Sequence, residues 1–133
     1  FTAADGSYSY RRITGDPLGL GDDLLGLDAT AAWERTRHSD YPDALVQVCA
    51  IAAAPRAGDI ILSAAPGWDL RSRYEPVLHV SGHGSLHREQ MLVPFISSRP
   101  VAGTLRRTVD ILPTALATLG LPIPRHLDGH PAR

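Results

Sequence analysis

The chain has 133 residues, of which 44% are apolar and 20% charged, and its formal net charge is -1 with histidine neutral. That is one ordinary domain, able to bury roughly two thirds of its unfolded surface, and the composition excludes a disordered chain. There is no nucleic-acid-binding signal, since no basic excess is present, and no membrane segment, since no apolar run nears the ~18 residues that a membrane-crossing helix needs.

All thirteen basic residues are arginine, which together with the many alanines reads as GC-rich coding rather than function. Cys49 is the only cysteine, so no internal disulfide can form, and it reads as a small core residue on a helix. The chain opens at Phe1 without an initiator methionine, and is expected to be a piece of something longer.

Residues 1–28 hold many turn formers (Gly6, Gly15, Asp16-Pro17, Gly19, Gly21, Gly26) and few apolar periods. They read as loop with one short strand at Tyr8–Ile13. A loop-rich segment over 1–39 is long for a compact domain, and is expected to pack on upstream parts of the protein. Asp28 is placed to N-cap a helix over Ala29–Arg37. A second helix is expected to start at Pro42, with Ala44, Leu45, Val48, Cys49 and Ala52 on its apolar face, and to end at Pro55 and Gly58.

The β-branched run Asp59-Ile-Ile-Leu-Ser63 then predicts a buried strand, followed by loop over Ala65–Arg73 and a short strand at Val77–Val80. Met91–Ser97 predicts another strand, with Pro94 at an edge or bulge because it lacks an N–H. The last predicted element is a helix over Ile111–Leu119, packed on that strand. Asp110 would be its N-cap, Pro113 falls in its tolerant first turn, and Gly120 would be its left-handed stop. Ile111, Leu112, Ala115, Leu116 and Leu119 are its expected buried face. The tail, with Pro122, Pro124 and Gly129, is expected to cross the surface. Strands alternating with helices give an α/β class.

The densest chemical segment is His79-Val-Ser-Gly-His83-Gly-Ser-Leu-His87-Arg88-Glu89. Three histidines every four residues would line one face of a helix, but Ser81, Gly82, Gly84 and Ser85 oppose a helix there. His83 is the best single metal-ligand candidate, because glycines on both sides allow a ligand close approach. It is expected in a loop at the C-terminal edge of the sheet, with its imidazole exposed to a cleft. Asp59, Asp69, Arg71 and the Arg106-Arg107 pair read first as solvated or turn residues, and Trp33 and Trp68 as packing residues. There is no Gly-rich phosphate loop, no cysteine pair for zinc and no G-x-S-x-G nucleophile turn.

The runs SGHGSLHREQMLVPFISSRP and RRTVDILPTALATLGLPIPRHLDG resemble the C-terminal end of alkaline phosphatase superfamily enzymes, nearest to type I phosphodiesterase and nucleotide pyrophosphatase-like proteins. The resemblance lies in His83-Gly84, Met91–Pro100, Thr108–Thr114, Leu119-Gly120-Leu121 and Leu127-Asp128-Gly129. It covers roughly residues 58–130 in order, and is weaker over 40–57.

This resemblance implies that 40–133 is the C-terminal part of an alkaline-phosphatase-like catalytic domain, a partial sheet flanked by helices. It implies a metal-dependent phosphoester hydrolase acting on a phosphate-ester small molecule. The cofactors would be two divalent metal ions, zinc first, with manganese or iron open. His83 would be the late metal ligand, and His87, Arg88 and His79 would have second-sphere or substrate-facing roles. The nucleophile and the carboxylate ligands would lie in the upstream part of the same protein, so no catalytic residue is assigned here and the isolated chain is expected to be inactive. Two other readings stay open: a noncatalytic α/β binding or interaction module that retains this scaffold, and a small metal-binding protein using His79, His83 and His87.

Overall fold

The computed structural model describes residues 1–70 and 82–132. It is a mixed α/β structure that divides into two units, residues 1–93 and 94–133.

The first unit begins with a three-stranded antiparallel sheet of order β1-β2-β3, where loop was expected over most of 1–28: β1 is Thr2–Ala4, β2 is Ser7–Tyr10 and β3 is Leu24–Leu27. The β1–β2 connection is the two-residue turn Asp5-Gly6, with φ of 50° and 74°, and it sets Ala3 opposite Tyr8. Both turn residues are left-handed, which is what Asp-Gly tolerates and what matches the twist of a tight hairpin. β2 pairs with β3 through Tyr8 to Leu27 and Tyr10 to Leu24, with an irregularity between the pairs. There the Gly26 N–H donates to Ser9 Oγ at 2.9 Å.

The long β2–β3 connection is tied by two carboxylates. Asp16 accepts from the N–H of Leu20 (3.1 Å) and of Gly21 (2.7 Å). Asp23 accepts from the Arg12 N–H at 3.0 Å, and its guanidinium sits 3.5 Å away. This closes the connection at its base and folds Leu18 into the core.

Helix α1 is Ala29–Thr36, capped as expected by Asp28, whose carboxylate accepts from the Ala31 N–H at 2.8 Å. Helix α2 is Ala44–Ala52 and starts two residues later than expected. Pro42 lies in the turn before it, and Asp43 precedes the helix in the left-handed region at φ 62°. The buried residues of α2 are Ala44, Leu45, Val46 and Cys49, so Val46 replaces Val48 and Ala52 of the expected face. The two helices pack on each other and on the sheet. The core they close contains Tyr10, Leu18, Leu24, Ala32, Ala44, Leu45 and Val46, drawn from both sides of residue 39. Cys49 is buried, as expected for a core thiol, and burial pushes its pKa up.

The corner between α1 and α2 is held by Thr36. Its hydroxyl, fully buried, donates to Ala32 O at 2.8 Å and accepts from the Asp43 N–H at 2.9 Å. Ser39 adds two bonds to Thr36 O and its Oγ accepts from the Tyr41 N–H.

Two expected strands do not form. Asp59–Ser63 has no regular structure, with Ile60 78% and Leu62 70% exposed. Met91–Ser97 instead begins as the last residue of a four-residue helix α3, Arg88–Met91, and then runs on irregular and exposed, Ile96 at 91%. A β-branched run becomes a strand only when another strand pairs with it, and β1–β3 form the only sheet among the described residues. Trp68, expected to pack, is 78% exposed. Val77–Val80 lies outside the described residues.

The second unit carries a 3-10 turn, Thr108–Asp110, running directly into helix α4, Ile111–Thr118. Asp110 is not the side-chain cap expected for α4, because it is itself helical (φ -79°, ψ -13°). Its carboxylate instead accepts from the Arg107 N–H at 3.1 Å and from the His130 N–H at 3.0 Å, bracing the tail. Thr114 Oγ1 takes the Ala132 N–H at 2.9 Å. Gly129 is needed in this docking, since a Cβ there would collide with the Val109 carbonyl. Gly120 stops the helix as expected: at φ 67° it lets its own N–H reach Ala117 O and the Leu121 N–H reach Leu116 O. The buried face of α4 is Pro113 and Thr114, while Ile111, Leu112 and Leu119 are exposed, reversing the expected face.

Replacing Thr36 by valine keeps the shape and leaves the Asp43 N–H without its acceptor. A cost of about 1–3 kcal/mol is expected in urea melts, against a smaller loss for Thr36→Ser, which keeps the hydroxyl. Equal losses for the two variants would show that the hydroxyl is not the joint.

The acid limb of stability follows from Asp16 and Asp23. Hydrogen bonds hold both carboxyls below the usual aspartate range, chiefly from the Gly21 N–H for Asp16 and from the Arg12 N–H for Asp23. A carboxylate depressed on folding stabilises the native state fully above its unfolded pKa, near ~4, and stops doing so as pH falls through the lower folded value. Melts between about pH 5 and pH 2 should therefore lose stability less steeply in the Asp16→Asn/Asp23→Asn double variant than in the unaltered chain. Parallel curves would remove these two groups from the acid transition.

Candidate functional site

His83 lies in an irregular stretch between Gly82 and Gly84, and its side chain is exposed. Gly84 has φ 96°, a conformation that side-chain-bearing residues rarely adopt, so the glycine after His83 shapes the loop. A methyl placed on Gly82 would stand 3.8 Å from Asp69 Oδ2, so that carboxylate lies beside the backbone that carries His83.

The residues after His83 are tightly bonded. The Ser85 N–H donates to Gln90 Oε1 at 2.8 Å, and Ser85 Oγ accepts from the His87 N–H at 3.0 Å. Ser63 stands opposite, with its Oγ 3.4 Å from Ser85 Oγ and accepting from the Leu86 N–H at 3.3 Å. Ser85 Oγ also donates to Ala64 O at 3.4 Å.

His87 ends the loop and begins α3, its Nδ1 facing the Glu89 N–H at 3.4 Å. Its ring meets Tyr41 edge-on, with centroids 5.7 Å apart, and its Nδ1 is 4.0 Å from Glu89 Oε2. Arg88 donates its N–H to Asp40 O at 2.7 Å, and its Nη1 lies 3.5 Å from His38 O. The loop and α3 are thereby docked on residues 38–41, the chain between α1 and α2.

Of the four candidate site residues, His83 is exposed on irregular backbone, while its expected place beside a cleft at the C-terminal edge of a sheet finds no support, since the one sheet among the described residues is β1–β3 within residues 2–27. His87 and Arg88 are its neighbours in sequence but are engaged in packing and capping. His79 and Arg71 lie outside the described residues. His83 and His87 do not share a helix face, because α3 begins only after His87. Ser63, Ser85, Gln90 and Tyr41 are the contributors that sequence reasoning missed. A serine two residues before a helix cap, followed by the helix-forming run Arg-Glu-Gln, is the signal that was present.

A neutral imidazole in an open glycine loop suits one position on a divalent metal. A metal centre needs about four donors, and among the described residues no group of three His, Cys, Asp or Glu side chains gathers. The described residues thus fit one ligand and not a whole centre. No known family model, curated protein or solved structure matches the chain.

Proposed function

We propose that the chain is the C-terminal part of a metal-dependent phosphoester hydrolase resembling the alkaline phosphatase superfamily, and that His83 is one of its metal ligands. The observation that carries this reading is the exposed His83 imidazole in the Gly82–Gly84 loop, set within an ordered series of family-like segments. The exposed apolar residues Ile60, Leu62, Val93 and Ile96 accord with a chain whose packing partners lie elsewhere in the same protein.

The chemistry that a pair of divalent ions supplies in such enzymes is activation of the nucleophile and offset of the charge on the phosphoryl oxygens. This chain's contribution is narrower. His83 offers a nitrogen lone pair, the glycines keep bulk away from it, and the bonded segment 85–90 limits where the loop can move. The nucleophile and the remaining ligands come from upstream sequence, and the substrate is a phosphomonoester or phosphodiester.

In the full-length protein, His83→Ala should lower metal content and reduce turnover of an aryl phosphate or phosphodiester by at least ~10–100-fold, the loss typical of an outer-sphere partner. The metal-free melting temperature should hold, because an exposed side chain contributes little to the core. The isolated chain should show no turnover above background with added zinc or manganese. Unchanged metal content and rate in His83→Ala would overturn the reading, and metal-dependent turnover by the isolated chain would show that the site is complete within it.

A further inference from the structure

Asp5-Gly6 and Asp128-Gly129 are the two Asp-Gly pairs in the chain, and asparagine is absent from it. Such a pair carries a latent reaction of its own backbone. The glycine nitrogen, with no side chain beside it to hinder approach, attacks the aspartyl Cγ. An N–Cγ bond forms, one water leaves, and a five-membered succinimide closes. Water then reopens the ring. Addition at Cγ restores aspartate. Addition at the main-chain carbonyl carbon breaks the original peptide bond and leaves isoaspartate, in which the chain runs through Cβ and Cγ and the former main-chain carbonyl is a free carboxylate. One water leaves and one enters, so no co-reactant beyond water is needed.

The two pairs stand in opposite settings. Gly129 is buried, a Cβ on it would collide with the Val109 carbonyl, and the following N–H, of His130, is bonded to Asp110 Oδ1 at 3.0 Å. The 128–129 peptide cannot turn toward the Asp128 side chain without undocking the tail. Asp5 and Gly6 are both exposed, and a Cβ on Gly6 would meet nothing within 4 Å. Among the described residues the Asp5 carboxylate makes no hydrogen bond or ion pair.

The hairpin also supplies part of the ring geometry. Closure eclipses Cβ with the next nitrogen about the Cα–C bond, which in an L-residue puts ψ at about -120°. With φ at about 60°, this is the first central position of a type II′ turn. Asp5 already has φ 50°. Types I′ and II′ both join strands through two residues, so closure asks for a flip of the Asp5-Gly6 peptide plane and keeps the strand pairing on either side. Gly6, at φ 74°, changes the sign of its φ in that flip, which glycine does at little cost.

Isoaspartate is different, because it adds one methylene to the main chain. A two-residue turn cannot absorb it and keep Thr2 opposite Ser9, Ala3 opposite Tyr8 and Ala4 opposite Ser7. β1 is an edge strand of three exposed residues, with little burial to resist its release. The core residues Tyr10 and Leu24 belong to β2 and β3, which the change does not touch.

We propose that Asp5-Gly6 is a self-modification site, at which the folded hairpin closes a succinimide and passes to isoaspartate, and that this product releases β1 from β2 while the core stays in place.

The test ages the full-length protein at neutral pH, folded and in urea. Isoaspartate is read by labelled methyl transfer from S-adenosylmethionine, using an isoaspartyl carboxyl methyltransferase, and is located by peptide mapping. Folded protein should gain the label at residue 5 and not at residue 128, and protein in urea should gain it at both. Asp5→Asn closes the same ring by losing ammonia, a better leaving group, and should raise the yield at residue 5. Asp5→Ser, with no carboxyl, should lose the signal there. In the isolated modified form, amide hydrogen exchange should show lost protection across Thr2–Ala4 and kept protection in α1 and α2. No isoaspartate at residue 5 of the folded protein, or equal yields at residues 5 and 128, would overturn the site. Unchanged protection of Thr2–Ala4 in the modified form would overturn the release of β1.

Discussion

The Thr36 hydroxyl is the joint on which the first unit depends. Two helices meet at a corner there, and the buried Asp43, in the turn just before α2, needs an acceptor for its N–H inside the protein. Thr36 supplies one to Asp43 while returning its own proton to Ala32 O, so a fully buried hydroxyl is used on both sides. A buried polar group with all its partners is rigid, and one without them is costly. The corner then sets the path of residues 38–41, and these receive Arg88 and the ring of His87. The position of the His83 loop is in this sense a consequence of how α1 turns into α2.

The core beneath that corner is made early in the chain. Tyr10, Leu18 and Leu24 from the sheet and its long connection meet Ala32, Ala44, Leu45 and Val46 from the helices. Alanine at 32 and 44 lets the helices approach closely, and leucine at 45, fully buried, fills the space between them and the sheet. Two carboxylates, Asp16 and Asp23, spend their hydrogen-bonding capacity on backbone N–H groups of the connection, which has no ladder of its own. The apolar runs that follow, at 60–62 and 92–96, find no such partner among the described residues and stay exposed.

Around His83 a left-handed glycine and a tightly bonded segment stand side by side. Gly84, at φ 96°, takes a backbone conformation that other residues would resist, directly after His83. Ser63, Ser85 and Gln90 then bond the chain just beyond it.

Local chemistry alone determined several elements. Asp28 caps α1 because its carboxylate reaches the Ala31 N–H whatever surrounds it, and Gly120 ends α4 because only glycine enters the left-handed region cheaply. Cys49 is buried on a helix, and His83 is exposed between its glycines, for reasons equally close at hand. The Asp5-Gly6 hairpin was also legible as a tight-turn dipeptide, although the surrounding glycines hid it as loop. What sequence could not decide was everything that needs a distant partner. Asp59–Ser63 and Met91–Ser97 have the residues of strands, but a strand exists only beside another strand. Asp110 has the chemistry of a cap, but it is drawn to the His130 N–H by the returning tail. Serines 63 and 85, more than twenty positions apart, become one feature only when the chain brings them to 3.4 Å, because hydrogen bonds act over distance in space and not along the sequence.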